Sequence, residues 1–242
     1  MAIGLGVQMN EWMLLTAAAA GTGLLHTLIG PDHYVPFVAL SKARSWSKSK
    51  TLWITFLCGL GHVASSVLIG LVGIAVGTTL FTLEGVESLR GEIAGWLLLA
   101  FGLSYLSWGL HAAWKQRPHV HLHQHEDGEW HDHEHRHAEG HLHPHEQSTK
   151  SLTVWVLFIV FVFGPCEALI PLVMYPAAMG SWWLVLSVTA AFGLATLGTM
   201  LVLVFSLSFG FEQVRLGPFA RYGHALAGLV ITACGVAIQF GL

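Results

Sequence analysis

Six predominantly apolar stretches, near 12–41, 51–80, 92–114, 150–179, 182–210 and 219–241, constrain this chain more than any other feature. At about 1.5 Å of rise per residue, a helix over each is long enough to cross a hydrocarbon core of about 30 Å. Only 10% of the 242 residues are charged, against about 25% in soluble domains, and the charges gather in the segments between the runs. Too little polar surface remains to cover a water-soluble fold, which excludes the soluble-enzyme classes. A net charge of -3 without a basic stripe sets nucleic-acid binding aside. The first, second, fourth and fifth runs are longer than a crossing needs, so they tilt or break.

The first Lys or Arg is Lys42, so the N-terminus lacks the basic region of a cleavable signal, and its apolar segment is expected to stay as a span. Placing the turn with Lys42, Arg44, Lys48 and Lys50 in the cytoplasm also places 115–149 and 211–221 there. Ten of the eleven Lys/Arg residues then face inward, with Arg90 the exception, in a turn that also holds Glu84 and Glu87. The expected orientation in a bacterial inner membrane is therefore N-out and C-out, with the 115–149 loop cytoplasmic.

The two halves match at an offset of 134 residues: Gly30-Pro31 falls on Gly164-Pro165, Gly59-Leu60 on Gly193-Leu194, and Asp32-His33 on Cys166-Glu167. Three spans per half is an odd number, so the copies are inverted relative to each other. The expected fold is an all-α polytopic membrane protein. Two inverted three-helix repeats (1–114 and 150–242), with first helices broken at Gly-Pro, flank a His-rich loop (115–149). Paired Gly/Pro interruptions at equivalent places point to a central site between repeats.

Polar side chains collect beside those interruptions. The first run carries His26, Asp32 and His33, the second His62, and the fourth Cys166 and Glu167 directly after Gly-Pro. Ionisable groups at bilayer depth are costly, so they face a cavity or a partner. Imidazole is a borderline ligand for transition metals, carboxylate adds charge and hard oxygen, and thiolate is soft. His26, Asp32, His33, His62, Cys166 and Glu167 are thus the expected metal ligands, aided by carbonyls freed at the break. His224 reads as a core histidine near a membrane end, and Cys58 and Cys234 as small packing residues.

Eleven of the sixteen histidines lie in the loop, at 119, 121, 123, 125, 131, 133, 135, 137, 141, 143 and 145, interspersed with Asp and Glu. With no apolar periodicity to fold against, the tract is expected to be disordered without metal. Its composition makes His119, His121, His123, His125, His131, His133, His135, His137, His141, His143 and His145 an accessory metal-binding set. His133-Glu-His-Arg-His137 matches H-E-x-x-H, but in a tract with histidine at nearly every second position the match carries no protease reading.

The segments 24–37, 59–66 and 163–171 resemble the nickel/cobalt transporter superfamily, in particular its six-span efflux branch with a His-rich cytoplasmic loop. The likeness lies in a His…Asp-His signature in an early helix, a second-helix histidine and a Gly/Pro-Cys segment opening the second half. It departs in one respect: five residues, not four, separate His26 from Asp32. The resemblance implies that His26, Asp32, His33 and His62 contact the ion. The function it implies is a non-enzymatic secondary transporter of a divalent ion, Ni or Co foremost and Zn, Fe or Cu next. Export is favoured by the loop's placement, with proton antiport as a natural coupling. The ion is cargo, no permanent cofactor is implied, and the partners are the lipid bilayer, the metal and protons; association between copies stays open. No G-x4-G-K-[ST] is present, so ATP hydrolysis is not expected.

Two other readings remain. One is a urease-accessory-type membrane protein that delivers metal without transporting it. The other is a thiol–disulfide electron carrier of the cytochrome-biogenesis type, whose Gly/Pro-Cys segments 163–171 is similar to. The second needs two cysteines brought together from the two halves, and the counterpart of Cys166 is Asp32.

Overall fold

The computed structural model describes residues 2–115, 119–124, 130–135, 146–212 and 217–241. Two Gly-Pro dipeptides shape the helical bundle. Helix α1 (Ala2–Ile29) stops before Gly30, whose φ of -83° and ψ of 93° are extended. Pro31 supplies no N–H and disfavours helical geometry in the residue before it. A 3-10 turn over Pro31–His33 leads into α2 (Val35–Ala43). In the second half, α5 (Glu146–Phe163) ends at Gly164-Pro165, and α6 begins at Leu169, spanning Leu169–Ala178. The expected helix breaks therefore occur in both halves.

The remaining helices are long. Helix α3 (Lys48–Val76) starts where the Ser47 hydroxyl accepts from the Lys50 N–H at 3.3 Å and stops at Gly77, with φ of 72°. Helix α4 spans Leu80–Lys115, α7 Trp182–Glu212 and α8 Gly223–Gln239. Among the described residues, five helices are long and apolar enough to cross a membrane: Asn10–Ile29, Lys48–Val76, Leu80–Lys115, Trp182–Phe211 and Phe219–Gln239. Only 17–39% of their most apolar windows is buried, so most apolar side chains point outward, as lipid as solvent demands. The protein is a multi-pass membrane protein.

Three expectations change. The run at 150–179 is not one span, because the Gly-Pro crossing divides it into α5 and α6, whose apolar parts Leu152–Phe163 and Leu169–Ala178 are each short. Among the described residues, six full spans are therefore not found. The third helix begins at Leu80 and not near 92, which takes Glu84, Glu87 and Arg90 out of the expected turn and into α4. In the His-rich loop, the backbone of β1 (His119–Gln124) pairs antiparallel with β2 (Trp130–His135), setting His119 opposite His135, His121 opposite His133 and His123 opposite His131. This differs from a tract without structure of its own. Alternating residues suit a ribbon, whose pairing is made by backbone and needs no apolar periodicity. His125, His137, His141, His143 and His145 lie outside the described residues.

Helix α1 packs along α7, and α4 along α8. The second pair is unusually close: a Cβ added at Gly228 would collide with the Leu106 backbone, and one at Gly102 would lie 2.8 Å from the Thr232 Cα. Small residues permit such approach between membrane helices. One buried cluster includes Phe37, Leu98, Phe161, Met200, Ile231, Cys58 and Cys234; a second includes Ala19, Cys166, Leu169, Val188 and Phe192. Cys58 and Cys234 are free and buried, in keeping with packing residues.

His224 is held at one end of the α4–α8 pair. The Arg44 Nε–H donates to the Tyr105 hydroxyl at 3.1 Å, which leaves that O–H to donate to His224 Nδ1 at 2.9 Å. Tyr105→Phe removes both bonds while keeping the ring. A loss of about 1–2 kcal/mol is expected in detergent unfolding titrations, at roughly 1 kcal/mol for each net hydrogen bond.

Candidate intramembrane His/Cys site

Both breaks deliver polar side chains to one place. His26 lies in the last turn of α1, and His33 closes the 3-10 turn that follows. Their ring centroids are 4.6 Å apart, edge to face. His62, from α3, stands 5.1 Å from His33 and 6.1 Å from His26. Cys166, from the second break, places its sulfur 3.9 Å from His26 Nε2. Seven residues of regular helix would have set His26 and His33 about two turns apart along one face. The interruption at Gly30 folds that distance away.

Backbone carbonyls fix two of the imidazoles. A carbonyl oxygen only accepts, so the partner nitrogen carries the proton. His33 Nδ1–H therefore donates to Gly30 O at 3.1 Å, with Asp32 Oδ1 at 3.2 Å, and His62 Nδ1–H donates to Phe161 O at 3.3 Å. In the neutral rings Nε2 is then left with its lone pair. Both Nε2 atoms are buried and have no hydrogen-bond partner. An unmet buried polar atom of this kind costs about 1–3 kcal/mol. Glycine makes room for the rings: a Cβ at Gly30 would lie 2.6 Å from His33 Nδ1, and one at Gly164 would lie 3.0 Å from His62 Nδ1.

The second break is held by a pair that the sequence reading left in a turn. Glu87 and Arg90, one helical turn apart on α4, form a buried ion pair. Glu87 Oε2 accepts from the Cys166 backbone N–H at 2.9 Å and from the Ser66 hydroxyl at 3.1 Å. Arg90 donates to Ser65 Oγ at 2.7 Å, Val162 O at 2.7 Å and Gly164 O at 3.3 Å. Carbonyls at the end of α5, and the amide that begins the crossing, thus find partners where water is scarce. The signal available in the sequence was Arg90 itself, the one cation against the charge bias, three residues after a glutamate. It belongs to the interior, not to a loop.

Of the six expected ligands, His26, His33, His62 and Cys166 converge, with Asp32 hydrogen-bonded to His33. Glu167 does not join them; it is exposed on the wall of a cleft of about 700 Å³ that also borders His26, Asp32 and His33.

The sequence profile of the family described as the cytochrome C biogenesis protein transmembrane region matches residues 35–237, from the start of α2 into the last turn of α8. The chain belongs to this family. No curated protein and no solved structure matches it. Membership in the cytochrome C biogenesis transmembrane family overturns the resemblance to nickel/cobalt transporters, and with it the assignment as a secondary transporter of nickel or cobalt. That resemblance rested on short polar segments, and the first of them, His26 to His33, lies ahead of the matched region. Any fold that gathers polar groups inside a bilayer produces short patterns of this kind. The family match runs instead over 35–237, from α2 to α8. Within it lie His62, Glu87, Arg90 and Cys166; the α1 and 3-10-turn residues precede it.

Proposed function

We propose that this protein is a membrane component of thiol–disulfide transfer of the cytochrome-biogenesis type, with Cys166 as its reactive sulfur. The observation that carries this reading is the Cys166 thiol at a Gly-Pro helix break, 3.9 Å from the His26 imidazole. A thiolate is the nucleophile in disulfide exchange, and an adjacent imidazole is the base that generates it. His26 Nε2 takes the proton, and the thiolate attacks one sulfur of a disulfide on a partner protein. A bond forms between Cys166 and that sulfur while the partner's S–S bond breaks, and the departing thiolate takes up a proton. A dithiol donor protein then attacks the Cys166 sulfur, freeing the first partner's remaining thiol. Its second thiol displaces Cys166 and closes the donor's own disulfide. Two electrons pass from donor dithiol to acceptor disulfide, with one cysteine of this chain as relay.

The demand for two cysteines within the chain, which weighed against this reading, falls away if the second thiol comes from the partner. Cys166 itself is buried, so exchange involves an outward movement of the 164–168 crossing along the cleft lined by Pro165 and Glu167. The helix pairing is that of two related halves, and the N-out, C-out orientation rests on the charge bias alone. Helix α1 packs on α7 as α5 packs on α3, and the equivalent helices α3 with α7 and α4 with α8 pack against each other.

Haem-stained c-type cytochrome in cells lacking the gene, complemented with variants, tests the proposal. Cys166→Ser is expected to fall to the level of the gene deletion, while Cys58→Ala and Cys234→Ala retain at least half of wild type. Wild-type cytochrome content in Cys166→Ser would overturn it.

A further inference from the structure

We propose that His26, His62 and Cys166 hold one soft transition-metal ion, monovalent copper, in a three-coordinate His2Cys shell. One ligand atom from each of the three already lies within 4.8 Å of the others. Metal–nitrogen bonds of about 2.0 Å and a metal–sulfur bond of about 2.3 Å would set the ligand atoms roughly 3.5–3.8 Å apart. The Cys166–His26 separation of 3.9 Å is nearly there, so only His62 has to approach by about an ångström.

The second observation is the pair of orphaned nitrogens. His62 Nε2 is buried without a partner because its Nδ1–H is committed to Phe161 O, the outer hydrogen bond that orients a metal-bound histidine and fixes its tautomer. His33 Nε2 is orphaned in the same way and stands beside the other two rings, available to a fourth position.

Charge and softness choose the ion. Cys166 binds as thiolate and releases its proton, so a monovalent cation yields a neutral centre. Neutrality matters at bilayer depth. A divalent ion would leave the three-ligand shell itself positive, with the Asp32 carboxylate already engaged by His33, and a thiolate with two imidazoles is a soft set suited to monovalent copper. A copper-bound Cys166 is not free to attack a disulfide, so metal and partner compete for one sulfur. The metal site stands or falls independently of the exchange chemistry.

The test uses the full chain, purified in detergent, loaded anaerobically with monovalent copper, desalted against a competing chelator, and examined by copper X-ray absorption. The histidines of the 119–145 tract are themselves expected to take up metal, but that tract holds no sulfur. A copper–sulfur path therefore reports on the site and not on the loop. One sulfur scatterer near 2.2–2.3 Å is expected in the wild type, absent in Cys166→Ser and present in Cys58→Ala. His62→Ala should weaken retention of that sulfur-bound copper at least about tenfold. A wild-type spectrum with only nitrogen and oxygen neighbours would overturn the proposal whatever the variants do. So would a sulfur path that survives Cys166→Ser, and tighter retention of divalent zinc at this sulfur would overturn the choice of a monovalent ion.

Discussion

Glu87→Ala is expected to cost about 3–5 kcal/mol of stability, because it strands the Arg90 guanidinium without its carboxylate in an interior that water does not reach. Glu87 is fully buried and Arg90 nearly so. The same change removes the acceptor for the Cys166 N–H and for the Ser66 hydroxyl. Reversible unfolding in mixed micelles should show the loss, with Glu87→Gln milder since it keeps an oxygen in place. Replacing both partners with leucine separates two explanations. If only the charge pair mattered, the double variant would approach wild type, as apolar replacements of buried pairs often do. Because Arg90 also holds the Val162 and Gly164 carbonyls, the double variant should remain at least about 2 kcal/mol less stable, since those carbonyls lose their donor. A Glu87→Ala protein within about 0.5 kcal/mol of wild type would show that the pair is not buried as described.

The other large effect is expected at the α4–α8 contact. Gly228→Val should reduce stability by upwards of about 3 kcal/mol, at or beyond the usual cost of overpacking. The obstacle to a Cβ there is the Leu106 backbone, which cannot turn aside as a side chain would. The two helices must separate, opening the packing of Leu98 and Ile231 in the larger buried cluster. Gly198→Ala in α7 is the matched control: a Cβ there meets nothing within 4 Å. By helix propensity alone it should stabilise by about 0.5–1 kcal/mol. Equal outcomes for the two positions, read as detergent melting temperature and yield of monodisperse protein, would remove close approach as the reason for glycine at 228.

Much of the candidate site was legible because its residues break rules of composition. His26, Asp32, His33, His62 and Cys166 stand out as polar groups in apolar surroundings, and each Gly-Pro marks a helix interruption by local sterics. Glu87 and Arg90 were missed for a related reason. Together with Glu84 they read as a charged turn, because mutual neutralisation inside the fold leaves no mark on one-dimensional hydropathy. Glu167 was placed in the site as an ionisable group at bilayer depth directly after Gly-Pro, yet successive residues at a crossing point different ways, and it came to rest on the cleft wall. The resemblance to metal transporters was an error of the same origin. Three short polar patterns stood for the whole chain, whereas the family match extends over 35–237.

What the sequence determined alone is what depends on single residues and their nearest neighbours: membrane residence, from the near absence of charge, and two helix breaks, from prolines without an N–H. Only the tertiary structure decided which breaks meet, which imidazole nitrogen keeps its lone pair, and which buried arginine caps which carbonyls. Those outcomes depend on contacts between segments as far apart in the chain as His26 and Cys166. No local propensity encodes them; packing of the intervening helices does.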